Sequence, residues 1–133
     1  DMVPDHTSNK FAQWMNTGDS LYYSTKKLYP NDKQFLKETI TQWERKNPAP
    51  EVSISEVADH FDYVKNLIGV DHIGISGDYD GIEYTIKGLE DVSCFPNLLI
   101  ELVCRGWTKS EIKKITKDNF LRVFKNVEDG SKK

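Results

Sequence analysis

Val70-Asp71-His72-Ile73-Gly74-Ile75-Ser76-Gly77-Asp78-Tyr79-Asp80-Gly81 is the stretch from which the fold is read. An apolar run of strand length ends in glycine and then in two carboxylates two residues apart. A helical pattern precedes it, and a polar loop and further helical patterns follow. That order is one strand-to-helix unit of an α/β protein, with acids where such folds put their chemistry. Alternation along a strand puts His72, Gly74, Ser76 and Asp78 on one side and Ile73 and Ile75 on the other. The isoleucine side is expected to pack on helices. The small residues leave open space, and Asp78 stands at its C-terminal rim.

Upstream, Ser53 and Glu56 have capping-box spacing, and Val57, Phe61, Val64 and Ile68 form one stripe of a helix from Ile54 to about Ile68. Gly69 supplies its C-terminal cap. Downstream, residues 82–92 read as irregular. Residues 93–96 can open a helix lasting to about Arg105, with Leu98, Leu99, Leu102 and Val103 expected inside, and Gly106 ends it. Thr108 and Glu111 make a second capping box for a short helix to about Thr116. A last helix, from about Asp118 to Glu128, carries Phe120, Leu121, Val123, Phe124 and Val127.

The region before Ser53 is helical as well. Met2 and Val3 read as the tail of a strand, and Thr7 or Ser8 can cap a helix to about Asn16. Gly18-Asp19-Ser20 is expected to break that helix before a short amphipathic piece from Ser20 to Leu28. The turn Tyr29-Pro30-Asn31-Asp32 can cap a helix from Lys33 to Lys46, and Asn47-Pro48-Ala49-Pro50 stops it.

One or two parallel strands do not make a self-sufficient sheet, because a parallel sheet needs both faces covered. A complete (β/α)₈ barrel takes about 250 residues, and this chain has 133. The expectation is therefore an α/β fold: the C-terminal part of a TIM-type (β/α)₈ barrel, mostly helices with one or two parallel strands. Residues 1–52 would be a helical insertion after a barrel strand. Residues 53–133 would be the last strand–helix units and the C-terminal helices.

Composition narrows the function classes. A formal net charge of −3 with scattered lysines argues against a nucleic-acid surface. No apolar run approaches the ~20 residues that span a bilayer, and a soluble chain is expected, in the cytoplasm or outside it. The chain opens on Asp1, so its beginning is expected to be missing. Cys94 and Cys104, on or near one helix, would lie ~15 Å apart, too far to bridge, and read as two half-buried thiols. His6, His60 and His72 have no ligand spacing, and no metal ligand is assigned to them. Trp107, beside Gly106, reads as a packing residue.

Asp78-x-Asp80-Gly81 after a strand admits several chemistries. A haloacid-dehalogenase-like phosphatase places its nucleophile and its acid–base this way. It wants bulky apolar residues up to the first Asp, where Ser76-Gly77 stand here. An EF-hand wants glycine at loop position 6, but Gly81 falls at position 4. A plain helix- or turn-capping Asp is the ordinary alternative. The opening Asp1-Met2-Val3-Pro4-Asp5-His6-Thr7 echoes a strand-end motif of α-amylase-like glycosidases. No nucleophile or acid motif of that family follows it.

Several stretches together resemble the renal (membrane) dipeptidase family. They are Val57-Ala58-Asp59-His60-Phe61-Asp62-Tyr63-Val64, Gly69-Val70-Asp71-His72-Ile73-Gly74, Gly77-Asp78-Tyr79-Asp80-Gly81 and Lys87-Gly88-Leu89-Glu90-Asp91-Val92-Ser93. Pro96, Arg105-Gly106-Trp107-Thr108 and Asp118-Asn119-Phe120-Leu121-Arg122-Val123-Phe124 complete the set. Tyr63 replaces a histidine often found there. The opening through Pro50 is similar to an insertion of bacterial members.

The resemblance implies a two-zinc (β/α)₈ enzyme that hydrolyses dipeptides, including those with a D-residue at the C-terminal side. It implies that the zinc ligands lie upstream of the matched region, so none is assigned in this chain. It carries onto Asp78 the role of the acid that contacts the substrate and handles the proton of the leaving nitrogen. Asp80 and Gly81 are read as loop structure. The partners expected are a dipeptide substrate and a missing N-terminal barrel part; a homodimer stays open. The alternative is a non-catalytic fragment or partner-binding module lacking the metal centre. The preferred dipeptides are not legible in the sequence.

Overall fold

The computed structural model describes residues 2–131. Asp1, the Asp5 side chain and the Lys132-Lys133 tail, which the sequence reading touched, lie outside the described part. The regular elements are α1 (Pro4–Thr7), α2 (Asn9–Leu28), α3 (Lys33–Lys46), α4 (Ile54–Ile68), α5 (Phe95–Cys104), α6 (Lys109–Lys113) and α7 (Asn119–Gly130), with short 3₁₀ turns at Val70–His72 and Val92–Cys94 and one π-turn at Lys114–Asp118. Contacts divide them into two units. One holds residues 4–52, and the other holds Met2, Val3 and the residues from Ser53 onward.

The α/β expectation is overturned. Among the described residues there is no strand and no sheet, so the chain is helical and does not present barrel strands. The stretch read as the deciding strand begins as a 3₁₀ turn through His72 and then runs extended from Ile73. A strand is defined by a ladder of backbone hydrogen bonds to a neighbour. Here those backbone groups take other partners. The Asn119 side-chain amide donates to the carbonyls of Val70 at 2.7 Å and Ile73 at 2.8 Å. The Ile75 amide donates to the Ile115 carbonyl at 3.3 Å, and the Ser76 carbonyl accepts from Met2 N at 2.7 Å. Met2 and Val3 are buried, but no strand is formed there among the described residues.

The π-turn supplies one of these partners. The Asn119 amide reaches back five residues to the Lys114 carbonyl. A regular α-turn would have paired that amide with the Ile115 carbonyl, which instead receives Ile75. The two C-terminal helices expected from the pattern are thereby joined without a break. Which residues face inward along the extended segment follows the alternation: Ile73 is buried, while Gly74 and Ser76 are exposed.

Local signals place the other helices of this unit. Both capping boxes are formed, Ser53 with Glu56 and Thr108 with Glu111. Gly69 and Gly106, at φ +84 and +91, end α4 and release the chain after α5 in backbone that L-residues avoid. Val57, Ala58, Leu98 and Leu102 are fully inside, and Phe61, Trp107 and Ile115 surround them. Val103 and Ile68, read as inward, are instead half or more exposed.

Arg105 ties α4 to α5. Its guanidinium donates to the carboxylates of Asp59 and Asp62 and to both Ser55 oxygens, and its Nε donates to Glu101 at 2.8 Å. Trp107 Nε1 donates to the second Asp62 oxygen at 2.7 Å, and Lys65 Nζ sits 4.4 Å from the Trp107 ring. Cys94 and Cys104 are free thiols, the first half-buried and the second exposed.

Glu111 joins the capping box to an ion pair with Lys65 at 2.7 Å. Lys65 first, then the Thr108 amide, hold its carboxyl down at about 2 against an ordinary 4.5. A depressed folded-state carboxyl contributes stability that is complete above the unfolded value and is lost as pH falls through the folded one. After discounting for solvent screening, that contribution is about 1 kcal/mol. Glu111→Gln should therefore lower stability near neutrality by about 1 kcal/mol and flatten the acid limb between the two values. Urea titrations across that range would read it, and an unchanged acid limb would contradict the assignment.

The unit of residues 4–52 corrects one expectation. Gly18 does not break the helix; α2 runs unbroken through Gly18-Asp19-Ser20. A glycine inside a helix costs roughly 1 kcal/mol relative to alanine, but here it makes room. A Cβ at position 18 would meet the Trp43 ring at 3.0 Å. Trp14 packs on Trp43 with ring centroids 5.4 Å apart, and its Nε1 donates to the Asn47 carbonyl at 2.7 Å. α3 starts where Asp32 accepts from the Phe35 amide at 2.9 Å. Among the described residues no helix is long and apolar enough to cross a membrane.

Candidate functional site

The extended segment delivers Asp78 to an exposed turn, with its backbone at φ +46. That left-handed conformation disfavours L-residues by about 1–2 kcal/mol, and Asp is among the few that visit it. Neighbours hold it there. The Gly81 amide donates to the Asp78 carbonyl at 2.9 Å and closes the turn. A Cβ at position 81 would come to 3.0 Å from both Asp78 carboxylate oxygens, so the carboxylate leans closely over Gly81 and a side chain there would push it aside. Asp80 lies in the same turn, exposed.

Tyr79 folds back along the segment. A Cβ on Gly77 would run into its ring, so the buried Gly77 is what lets the ring lie there. The ring also lies near Phe95, with centroids 6.1 Å apart, and the phenol donates to the Leu89 carbonyl at 3.1 Å. Burial, then the charges of Cys94, Asp91 and Glu90, raise the phenol above its ordinary range. It therefore stays a donor at neutral pH.

Leu89 is itself fixed. The loop expected to be irregular contains a tight turn in which the Leu89 amide donates to Ile86 O at 2.9 Å, with both side chains fully buried. Gly88, at φ +83, turns that corner against Ile54. Its amide donates to Glu90 at 2.7 Å, and its carbonyl accepts from Asn97 Nδ2 at 2.9 Å. Asp91 then accepts from the Ser93 amide at 2.7 Å and opens the turn into α5. The Gly88 amide holds the Glu90 carboxyl, and the Ser93 hydroxyl and then its amide hold the Asp91 carboxyl, below their ordinary range.

The turn offers two exposed carboxylates, and that of Asp78 sits on backbone held by the Gly81 amide. Such a group can accept a hydrogen bond from a substrate ammonium or amide, or carry a proton. Among the described residues no three His, Cys, Asp or Glu side chains converge as a metal site. His6, His60 and His72 are all exposed. A cavity of about 320 Å³ lies at the other end of the segment from Asp78, lined by Asp71, His72, Ile73, Gly74, Asn119 and Phe120 among others. Residue-by-residue reading missed Tyr79, Asn119 and Arg105. Their one sequence signal was that each lies inside a stretch resembling the dipeptidase family.

Comparison with known proteins gives the class first: the relatives are dipeptidases. The chain is 50% identical over 76 residues to "Dipeptidase 3" of Rattus norvegicus, covering 57% of this chain and 16% of that protein. It is 46% identical over 80 residues to "Dipeptidase aclJ" of Aspergillus oryzae, covering 60% and 19%. To "Dipeptidase verJ" of Clonostachys rogersoniana it is 42% identical over 94 residues, covering 71% and 24%. The chain thus spans less than a quarter of the length of these curated relatives. The profile of the membrane dipeptidase family, peptidase family M19, matches residues 22–133, and the chain belongs to that family.

Proposed function

We propose that this chain serves zinc-dependent hydrolysis of dipeptides, supplying the substrate-contacting acid Asp78 and the C-terminal helices of a metallodipeptidase. The observation that carries the reading is the family match across residues 22–133, which includes an exposed carboxylate on a held turn. Hydrolysis adds water oxygen to the peptide carbonyl carbon and breaks the C–N bond. The nitrogen leaves as an amine only if it gains a proton, and Asp78 is the group we assign to deliver it. Asp80 and Gly81 shape the turn.

The described residues do not fit a zinc site, since no three candidate ligands converge. In this reading two zinc ions are held by residues upstream of this chain, and no step of the chain's own chemistry runs through them. The test is hydrolysis of dipeptides, including ones with a C-terminal D-residue, by the whole protein and by the 133-residue chain alone. Turnover by the whole protein that a chelator abolishes, with none from the chain, is the expected result. No turnover by the metal-loaded whole protein would refute it.

A second reading, a non-catalytic partner-binding module, draws on α7. Phe120, Phe124 and Val127 are more than 60% exposed along that helix, an apolar face open to solvent. Inactivity of the metal-loaded whole protein would favour it.

A further inference from the structure

We infer that Tyr79 is a positioning residue for Asp78, acting with Gly77 and Gly81 as a clamp that sets where the carboxylate points. The inference rests on the reading of Asp78 as the functional acid. Three observations meet in it. Asp78 occupies left-handed backbone at φ +46, which an exposed loop abandons unless its neighbours over-determine it. The next residue is anchored where it cannot follow such a relaxation, because its phenol is bonded to the carbonyl of the buried Leu89 and its ring lies near Phe95. Both glycines of the motif bear on this arrangement: a Cβ at 77 would strike the Tyr79 ring, and one at 81 would press on the Asp78 carboxylate oxygens at 3.0 Å and make them shift.

The anchor reaches beyond the turn. Leu89 is held by its own tight turn, and Gly88 beside it by Asn97 from α5. Tyr79 therefore ties an exposed acid to the buried frame ten residues further along the chain. Asp80 adjoins Tyr79 on its other side, but the carboxylate that lies over Gly81 is that of Asp78. This separates the two acids by something other than their distance from the strand-like segment.

The test is a double-mutant cycle in the whole enzyme, with kcat and KM for a dipeptide and the melting temperature for each variant. Tyr79→Phe keeps the ring and deletes only the bond to Leu89. It should lower kcat by about 10–100-fold, as misplacement of a reacting group does, with KM within about twofold. In an Asp78→Asn background the same change should have almost no further effect, because its influence passes through Asp78. Gly81→Ala displaces the carboxylate without touching Tyr79 and should reproduce the loss.

Independent, multiplicative losses from Tyr79→Phe and Asp78→Asn would overturn the inference. So would full kcat in both Tyr79→Phe and Gly81→Ala. Full turnover by Asp78→Asn alone would instead refute the underlying assignment of the acid. A fall in melting temperature with kcat unchanged would show Tyr79 to be structural only.

Discussion

Asp78→Asn should lower the dipeptide turnover proposed for the whole protein by about 10²–10⁴-fold, the usual contribution of a positioned acid or base. Asparagine keeps the shape and the left-handed backbone, which it tolerates as well as aspartate does. What it removes is the charge and the transferable proton. The content of the zinc proposed for the whole protein should stay near normal, because Asp78 belongs to no cluster of metal-ligating side chains among the described residues. Asp80→Asn is the matched control. Asp80 lies in the same turn and is exposed, so its change should leave turnover largely intact and shift stability by no more than about 0.5 kcal/mol. The measurement is kcat, bound metal and melting temperature for the two variants side by side. Turnover retained by Asp78→Asn and lost by Asp80→Asn would reverse the assignment.

The largest effect on stability is expected from Asn119→Leu. Asn119 is 7% exposed, and its amide is bonded to two carbonyls, those of Val70 and Ile73. Leucine keeps the same branched heavy-atom framework with somewhat more bulk, and leaves both carbonyls without that donor. Removing one partner of a buried pair costs the desolvation of the group left behind, about 1–3 kcal/mol each. The sum is about 2–4 kcal/mol, since the Val70 carbonyl is only partly buried and water can compensate there. For a unit of this size that corresponds to a fall in melting temperature of roughly 10–20 °C. Thermal melts of the two chains would read it. Arg122 donates to the Asp71 carbonyl and Lys114 pairs with Asp71 at 2.6 Å. A shift of only a few degrees would mean that these contacts, rather than Asn119, hold the segment.

Asn119 also shows why part of the architecture was not legible beforehand. Residues 70–78 have the alternation, the branched side chains and the closing glycine of a strand. Alternation describes which faces are apolar; it does not supply a neighbour to pair with. The partners the segment found are an asparagine side chain 46 and 49 residues away and a carbonyl presented by a π-turn. Neither leaves a periodic signature. Gly18 is a similar case, because a helix-breaking residue becomes acceptable once a tryptophan ring from α3 needs its space.

Where the rules act within one turn of chain, the sequence by itself determined the outcome. The capping boxes at Ser53 and Thr108, the cap at Asp32 and the glycine exits at Gly69 and Gly106 each follow from residues three or four positions apart. Family membership was likewise carried by residues and their order alone. Only the tertiary structure decided that the central segment is extended but unpaired, that two C-terminal helices join through a π-turn, and that Tyr79 is tied to Leu89 beside a strained Asp78. The physical reason is range. Helix and cap bonds join groups already close along the chain, whereas the partners of residues 70–79 are chosen by packing between distant segments, which side-chain pattern does not encode.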